Sequence, residues 1–153
     1  MIQTVNGDIF NFPTELICHQ VNCMGVMGAG IAKEIRNRYP GCYLQYRKAF
    51  EENLLKLGYV DFYKDLSGIT IASICGQYNY GRYKQQTDYD ALTKGFKSIK
   101  DYCLKNNISK ISIPGYICCV LAGGDCNIVN KIIYNIFGNE NNINVSIYYL
   151  QNK

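Results

Sequence analysis

The sequence lacks the closely spaced ligand pairs of metal sites and the clustered charges of charged interfaces. It has a single histidine, His19, and its eight cysteines include no CxxC pair. Structural zinc sites use paired ligands at close spacing, so no metal site is expected. Lysine and arginine form no cluster larger than a pair, although the net charge is +4. The charge distribution alone therefore gives no indication of a groove that binds nucleic acid.

Long apolar runs and an export signal are also missing. No stretch approaches the roughly 20 apolar residues that a membrane-spanning helix needs, so membrane insertion is not expected. The first residues, MIQTVNGD, lack the charged and apolar regions of a secretory signal. Disulfides are then not expected either. We predict reduced, mostly buried thiols in a cytoplasmic protein.

The remaining composition is that of an ordinary folded domain. Of the 153 residues, 48% are hydrophobic and 18% charged, which excludes a disordered chain and favours one domain over 1–153. Hydrophobic periodicity predicts the order β, β, α, α, β, β, α, β, α, β. This order is typical of a three-layer α/β/α sandwich around a mixed sheet. The predicted strands cover 2–6, 16–21, 59–64, 68–73, 110–114 and 145–150, and the predicted helices 31–39, 41–57, 87–106 and 125–137.

The segment 16–39 combines a buried strand, a glycine-rich loop and a helix. The loop at 23–30 has three glycines and almost no charge. Free N–H groups of such a loop, together with the positive end of a helix dipole, attract a phosphate. Small residues also serve where a helix packs closely on a sheet, so this second interpretation stays open. The loop is neither a Walker motif nor a dinucleotide fingerprint.

A second glycine-bearing loop follows the predicted strand 110–114, at 117–124. In an α/β sheet both loops should emerge at the carboxyl ends of neighbouring strands, where ligands bind. Two such loops facing one crevice suit a diphosphate better than a single phosphate.

Four motifs together resemble one known family, the macrodomain. They are GDI at 7–9, HQVNC at 19–23, GVMGAGIA at 25–32 and LAGGD at 121–125. The resemblance covers essentially the whole chain. Within the family the chain is similar to the branch that contains terminal ADP-ribose protein glycohydrolases, macrodomain antitoxins that remove ADP-ribose from DNA, and phosphatases acting on ADP-ribose 1″-phosphate. It implies ADP-ribose or an ADP-ribosylated macromolecule as partner, with nucleic acid only as an ADP-ribosylated substrate, and no cofactor.

The resemblance also implies roles for individual residues. Asp8 would accept the adenine amino group, with Ile9 beside it, and Asn22 would hold the distal ribose. The loop 25–31 would wrap that ribose and a phosphate, and the second loop would close over the diphosphate. Tyr149 borders the adenine pocket or packs in the core. The implied ligand-binding residues are Asp8, Ile9, Asn22, Gly25, Val26, Met27, Gly28, Ala29, Gly30, Ile31, Ile117, Cys118, Cys119, Val120, Leu121 and Tyr149.

The chain departs from the family where chemistry would be expected. The second loop usually reads Ile-Gly-Cys-Gly-Leu, whereas 117–121 reads ICCVL. A valine in place of a positive-φ glycine is strained, so the loop has another shape or binds the diphosphate more weakly. The glycohydrolases and DNA-specific antitoxins use a lysine after the strand that ends near Ile74, where this chain has Cys75-Gly76. The acid of the glycohydrolase loop would fall at Ala122. Lysine-dependent removal of ADP-ribose is therefore not supported.

Three functions remain open at this point. The favoured one is binding of ADP-ribose or a derivative. The second is an enzyme, either a phosphatase on ADP-ribose 1″-phosphate or an ADP-ribosyl hydrolase. In the phosphatase His19 would act as acid–base catalyst while Asn22 orients the substrate, although a lone histidine on a strand is more often a core residue. The third is a degenerate macrodomain that binds a protein partner, or single-stranded nucleic acid through exposed tyrosines.

Overall fold

The computed structural model describes residues 1–80, 86–117 and 123–150. These residues form a sheet of β1 (Ile2–Asn6), β2 (Leu16–Asn22), β3 (Val60–Lys64), β4 (Thr70–Gln77), β5 (Lys110–Pro114) and β6 (Asn144–Tyr149). The helices are α1 (Gly30–Arg38), α2 (Pro40–Glu51), α3 (Tyr89–Lys105) and α4 (Cys126–Phe137), and a 3₁₀ turn lies at Ile9–Asn11. The predicted order of elements is confirmed.

The six described strands form one mixed sheet in the order β1-β6-β5-β2-β4-β3. Only the edge strand β3 is antiparallel to its neighbour, since it forms a hairpin with β4. The other pairings are all parallel. Strand β2 lies inside the sheet and is buried at six of its seven residues, which fits its continuous apolar sequence. The loops that follow β2 and β5 therefore leave neighbouring strands, as predicted.

Helices cover both faces of the sheet and make it a three-layer sandwich. On one face α3 and α4 pack together, with the Phe96 and Phe137 rings edge to face at 6.2 Å. On the other face Ile35 of α1 and Cys42 and Tyr46 of α2 are fully buried. The predicted α/β/α architecture is confirmed. In the described part of the chain no helix is both long and apolar enough to cross a bilayer.

Several element boundaries differ from the sequence prediction. Strand β4 continues to Gln77, four residues past its predicted end at 73, because it keeps pairing with β2. Helix α2 ends at Glu51, and Asn53 turns the chain with φ of 60°. Helix α3 begins at Tyr89, two residues after its predicted start at 87, and the Asp88 side chain caps it by accepting a hydrogen bond from the Ala91 N–H.

The cysteine prediction needs a correction. Five thiols are free and buried, at Cys18, Cys23, Cys42, Cys75 and Cys103. Cys126, at the start of α4, is disulfide-bonded, so the expectation of reduced thiols throughout is wrong. That expectation came from the residue pattern at 1–8, which bears on cellular compartment. Whether two thiols can bond depends on which of them the fold brings together.

Candidate functional site

A cavity of about 970 Å³ lies along the carboxyl edge of the sheet. The strands β1, β6, β5, β2 and β4 all run parallel, so their carboxyl ends meet at this edge. Each of them, or the residue that follows it, contributes to the cavity wall. Four strand spacings separate β1 from β4, which makes the edge roughly 19 Å wide. A slot of this length suits an elongated ligand better than a single phosphate.

The structure brings most of the predicted ligand-binding residues to this cavity. Those that line it are Asp8, Ile9, Asn22, Val26, Gly28, Ala29, Gly30, Ile31 and Ile117. Gly25, Met27, His19 and Tyr149 do not line it. The predictions for Cys118, Cys119, Val120 and Leu121 fall outside the described residues.

Asp8 lies at the β1 end of the cavity with half of its carboxylate uncommitted. Its Oδ1 accepts a hydrogen bond from the Phe10 N–H at 3.0 Å and so caps the 3₁₀ turn. No described residue bonds to Oδ2, which leaves this oxygen to accept from an amine donor. Phe10 lines the cavity next to it, and the Arg38 guanidinium stacks over the Phe10 ring at 4.3 Å. This end thus combines an anionic acceptor with an aromatic wall.

Asn22, at the end of β2, shapes the first glycine-rich loop. Its Oδ1 accepts from the N–H groups of Met24 and Val26, at 3.0 and 3.3 Å, and its Nδ2 donates to the Val26 carbonyl at 2.9 Å. The buried Tyr46 hydroxyl lies 2.6 Å from the Asn22 carbonyl oxygen and 3.0 Å from Oδ1. One N–H of Nδ2 is left over. Asn22 therefore holds the loop in place and retains one donor at the cavity.

The start of α1 offers backbone donors to the same space. Ala29, the N-cap, makes no capping bond through its side chain, and Gly30 has φ of +58°. Gly30, Ile31 and Ala32, the first residues of the helix, all line the cavity. Their N–H groups have no partner within the helix, because the first turn never does. Such a helix start stabilises an anionic group that lies close to it.

His19 lies inside the sheet and away from the cavity. Its side chain is fully buried, and its Nε2 lies 2.7 Å from the Ser73 hydroxyl on β4. Burial lowers the pKa of His19 to about 3, so the imidazole is neutral at physiological pH. The position is that of a core histidine, and its catalytic role stays a prediction without geometric support.

Tyr149 and its neighbour Tyr148 point to opposite faces of β6, because successive side chains of a strand alternate. Tyr148 lines the cavity and packs on Phe12, with ring centroids 5.0 Å apart. Tyr149 packs against Tyr116 at 5.1 Å and fills the space beside Gly115, where a side chain would collide with it. The aromatic side chain that β6 supplies to the cavity is therefore that of Tyr148.

Sequence reasoning missed two glutamines at the far end of the cavity from Asp8. Gln20 of β2 donates through Nε2 to Oε1 of Gln77 of β4, at 2.6 Å, and both line the cavity. Gln20 was recoverable, because it stands at the carboxyl end of a buried strand beside a glycine-rich loop. Gln77 was not, because the strand that carries it was predicted to end earlier.

Curated relatives match the chain in part or almost throughout. The DNA ADP-ribosyl glycohydrolase of Mycobacterium tuberculosis is 40% identical over 58 residues, which are 38% of this chain and 16% of that protein. The ADP-ribose glycohydrolase OARD1 of Bos taurus is 28% identical over 158 residues, covering 97% of this chain and 91% of that protein. The chain spans only 16% to 38% of the length of the DNA ADP-ribosyl glycohydrolases that it matches. No family model matches the chain.

Solved structures share the whole fold. The macrodomain of Mycobacterium tuberculosis DarG superposes with a TM-score of 0.87 at 23% identity and covers 99% of both chains. Thermosipho africanus DarTG, solved in complex with ADP-ribose, gives a TM-score of 0.84 at 22% identity and covers 96% of this chain and 41% of its own. At such identities the likeness shows the fold alone.

Proposed function

We propose that this chain, whose structure matches the macrodomain fold, is a macrodomain that binds ADP-ribose, free or attached to a macromolecule, in the cavity at the carboxyl edge of its sheet. The full-length relative from Bos taurus is named an ADP-ribose glycohydrolase, and the Thermosipho structure holds ADP-ribose. Both support ADP-ribose as the ligand class.

One observation carries the proposal: a single slot holds an uncommitted carboxylate oxygen at one end and an uncapped helix start along its length. Asp8 Oδ2 suits the exocyclic amine of adenine, which is a hydrogen-bond donor. The N–H groups at Gly30 and Ile31 suit the oxygens of a diphosphate. Adenosine diphosphate joined to a further sugar has these groups in this order.

Binding is favoured over turnover by the chemistry of the lining. Among the described lining residues the carboxylates are those of Asp8 and Glu34, and lysine, arginine and histidine are absent. Glu34 is held by Arg38, whose Nε lies 3.3 Å from its Oε2. Asp8 lies at the adenine end, far from a glycosidic bond on the distal ribose. Slow hydrolysis of ADP-ribosylated substrates or of ADP-ribose 1″-phosphate is therefore the secondary proposal.

Calorimetric titration of the purified protein with ADP-ribose, ADP and AMP tests the proposal. We expect ADP-ribose to bind with micromolar affinity, about 8 kcal/mol. A Gly28→Glu variant should lose binding at least 100-fold, because the new carboxylate would enter the diphosphate region. Gly28 suits this test because its φ is not positive, and the nearest atom to a new Cβ is Val26 Cγ1 at 3.5 Å.

The matched control is Leu66→Glu, which adds the same charge at a fully exposed turn between β3 and β4. It should bind ADP-ribose as the wild type does. Wild-type protein that releases no heat and shows no thermal shift at millimolar ADP-ribose would refute the proposed function. That result would favour a macrodomain that serves as a protein-interaction module.

A further inference from the structure

The end of the cavity opposite Asp8 is built from two side-chain amides on adjacent strands. Gln20 of β2 and Gln77 of β4 are joined by a 2.6 Å hydrogen bond, and both line the cavity. Asn22, two residues along β2, lies opposite Gln77 in the strand register, where a bulge shifts the pairing. A bulge re-aims the side chains around it and is frequent beside binding sites.

The Gln20 amide is held in a niche that requires a glycine. A Cβ at Gly76 would collide with the Gln20 amide oxygen and with Leu92 of α3, so the side chain fits only because Gly76 has none. Besides Gln77, Gln20 Nε2 donates to the Thr87 hydroxyl at 3.2 Å. Both of its N–H groups are then in use, and its position is determined by β4 and by Thr87.

Gln77 is held in place by its own backbone and by this neighbour. Its carbonyl accepts a hydrogen bond from the Cys23 N–H at 3.1 Å, which ties β4 to the start of the glycine-rich loop. Its side-chain oxygen accepts from Gln20, and one N–H of its Nε2 donates to the Asn79 carbonyl at 2.7 Å. A carboxamide has two N–H donors, so one remains for a ligand.

The spare donors at this end are therefore neutral amides of Gln77 and Asn22, which lie four and three strands away from β1, the strand that precedes Asp8. Neutral amide donors match the hydroxyls of a sugar, whereas a phosphate is better matched by cations or a helix start. The adenine amine belongs at Asp8 and the diphosphate at α1. The part of ADP-ribose left for the amide end is the distal ribose.

We propose that Gln77 is a specificity-determining residue that donates a hydrogen bond to a hydroxyl of the distal ribose, and that Gln20 is the positioning residue that aims it. The inference rests on the proposed function and goes beyond it, because it assigns the discrimination between ADP-ribose and ADP to this pair. ADP lacks the distal ribose and makes no contact with Gln77.

A Gln77→Leu variant tests the contact, since leucine keeps the bulk of the side chain and removes its hydrogen bonds. Titration should show ADP-ribose binding weakened about three- to tenfold, the range for one net hydrogen bond, and ADP binding unchanged. Gln3→Leu is the matched control, because Gln3 is exposed on β1, outside the cavity, and bonds to Ser146. This control should change neither affinity.

The positioning role of Gln20 needs a double-mutant cycle. Gln20→Leu should weaken ADP-ribose binding in the wild-type background and should have no further effect in Gln77→Leu, because it acts through Gln77. A merely structural role would instead weaken ADP and ADP-ribose equally and in both backgrounds, which would overturn the assignment to Gln20.

The two proposals fail differently. Unchanged ADP-ribose affinity in Gln77→Leu, or equal losses for ADP and ADP-ribose, would overturn the role of Gln77 and leave the proposed function standing. Failure of the wild type to bind ADP-ribose would overturn both.

Discussion

The two ends of the cavity are built by different means. At the β1 end a charged carboxylate, Asp8, stands beside an aromatic ring that is backed by a guanidinium. At the β2–β4 end the polar groups are neutral amides, most of whose hydrogen bonds are already made inside the protein. The first end can select a base by its amine and its flat face. The second can select a hydroxylated sugar but carries no described acid or base to cleave it.

Among the substitutions that alter one end of the cavity, Asp8→Asn should change nucleotide affinity the most. Asparagine keeps an oxygen for the Phe10 N–H, because Asp and Asn cap equally well, and turns the uncommitted oxygen into a donor. A donor facing the adenine amine should weaken ADP-ribose, ADP and AMP alike by about 10- to 100-fold, or roughly 1.4 to 2.7 kcal/mol. Titration with the three nucleotides measures it.

Asp88→Asn is the control for this variant, because Asp88 caps α3 by the same kind of hydrogen bond and does not line the cavity. Its affinities should equal those of the wild type. If Asp8→Asn lost affinity for ADP-ribose but not for ADP and AMP, the assignment of Asp8 to the adenine would be wrong.

His19, which precedes Gln20 on β2, is the buried group whose protonation can be tested at this end of the molecule. Because burial lowers its pKa to about 3, the unfolded state binds an extra proton between about pH 6.5 and pH 3. His19 therefore contributes its full stability above pH 6.5, and the free energy of unfolding should fall by up to about 1.4 kcal/mol per pH unit as the pH drops below it. Asp61 has the opposite sign, because burial raises its pKa.

Urea unfolding from pH 7.5 to pH 4 in wild type and His19→Gln measures this contribution as a difference in slope. The variant should show the shallower dependence and, at pH 7, bind ADP-ribose normally. If a folded His19→Gln lost a hydrolytic activity that the wild type had, the catalytic interpretation of His19 would be restored.

The Arg38→Met substitution should give the smallest effect and sharpens the description of the β1 end. Arg38 stacks on Phe10, and an exposed cation–π contact is worth about 0.5 to 1 kcal/mol. Removing it should loosen the Phe10 wall and weaken all three nucleotides about two- to fivefold. Arg36→Met is matched, because Arg36 stacks in the same way on Tyr43, which does not line the cavity. Equal effects of the two variants would show that Phe10 is not part of the base site.

The sequence alone determined the features that depend on local pattern. Apolar periodicity and glycine positions were enough for the order of elements, the layer architecture and the loop between β2 and α1. The resemblance of the GDI motif to that of a known family implied that Asp8 contacts the ligand, and the structure places this residue on the cavity wall. These features are local because a strand, a turn and a helix start each follow from a few consecutive residues.

Only the tertiary structure decided which side chains share the cavity. Gln77 lines the cavity because β4 extends along β2, and Tyr148 lines it because its side chain lies on the face of β6 that borders the cavity. His19 does not line the cavity, because it is fully buried inside the sheet. Each of these depends on pairing between segments distant in sequence. Side chains of a strand alternate between its two faces, so a shift of one residue in the pairing register exchanges the faces. The register is therefore fixed only when the sheet packs.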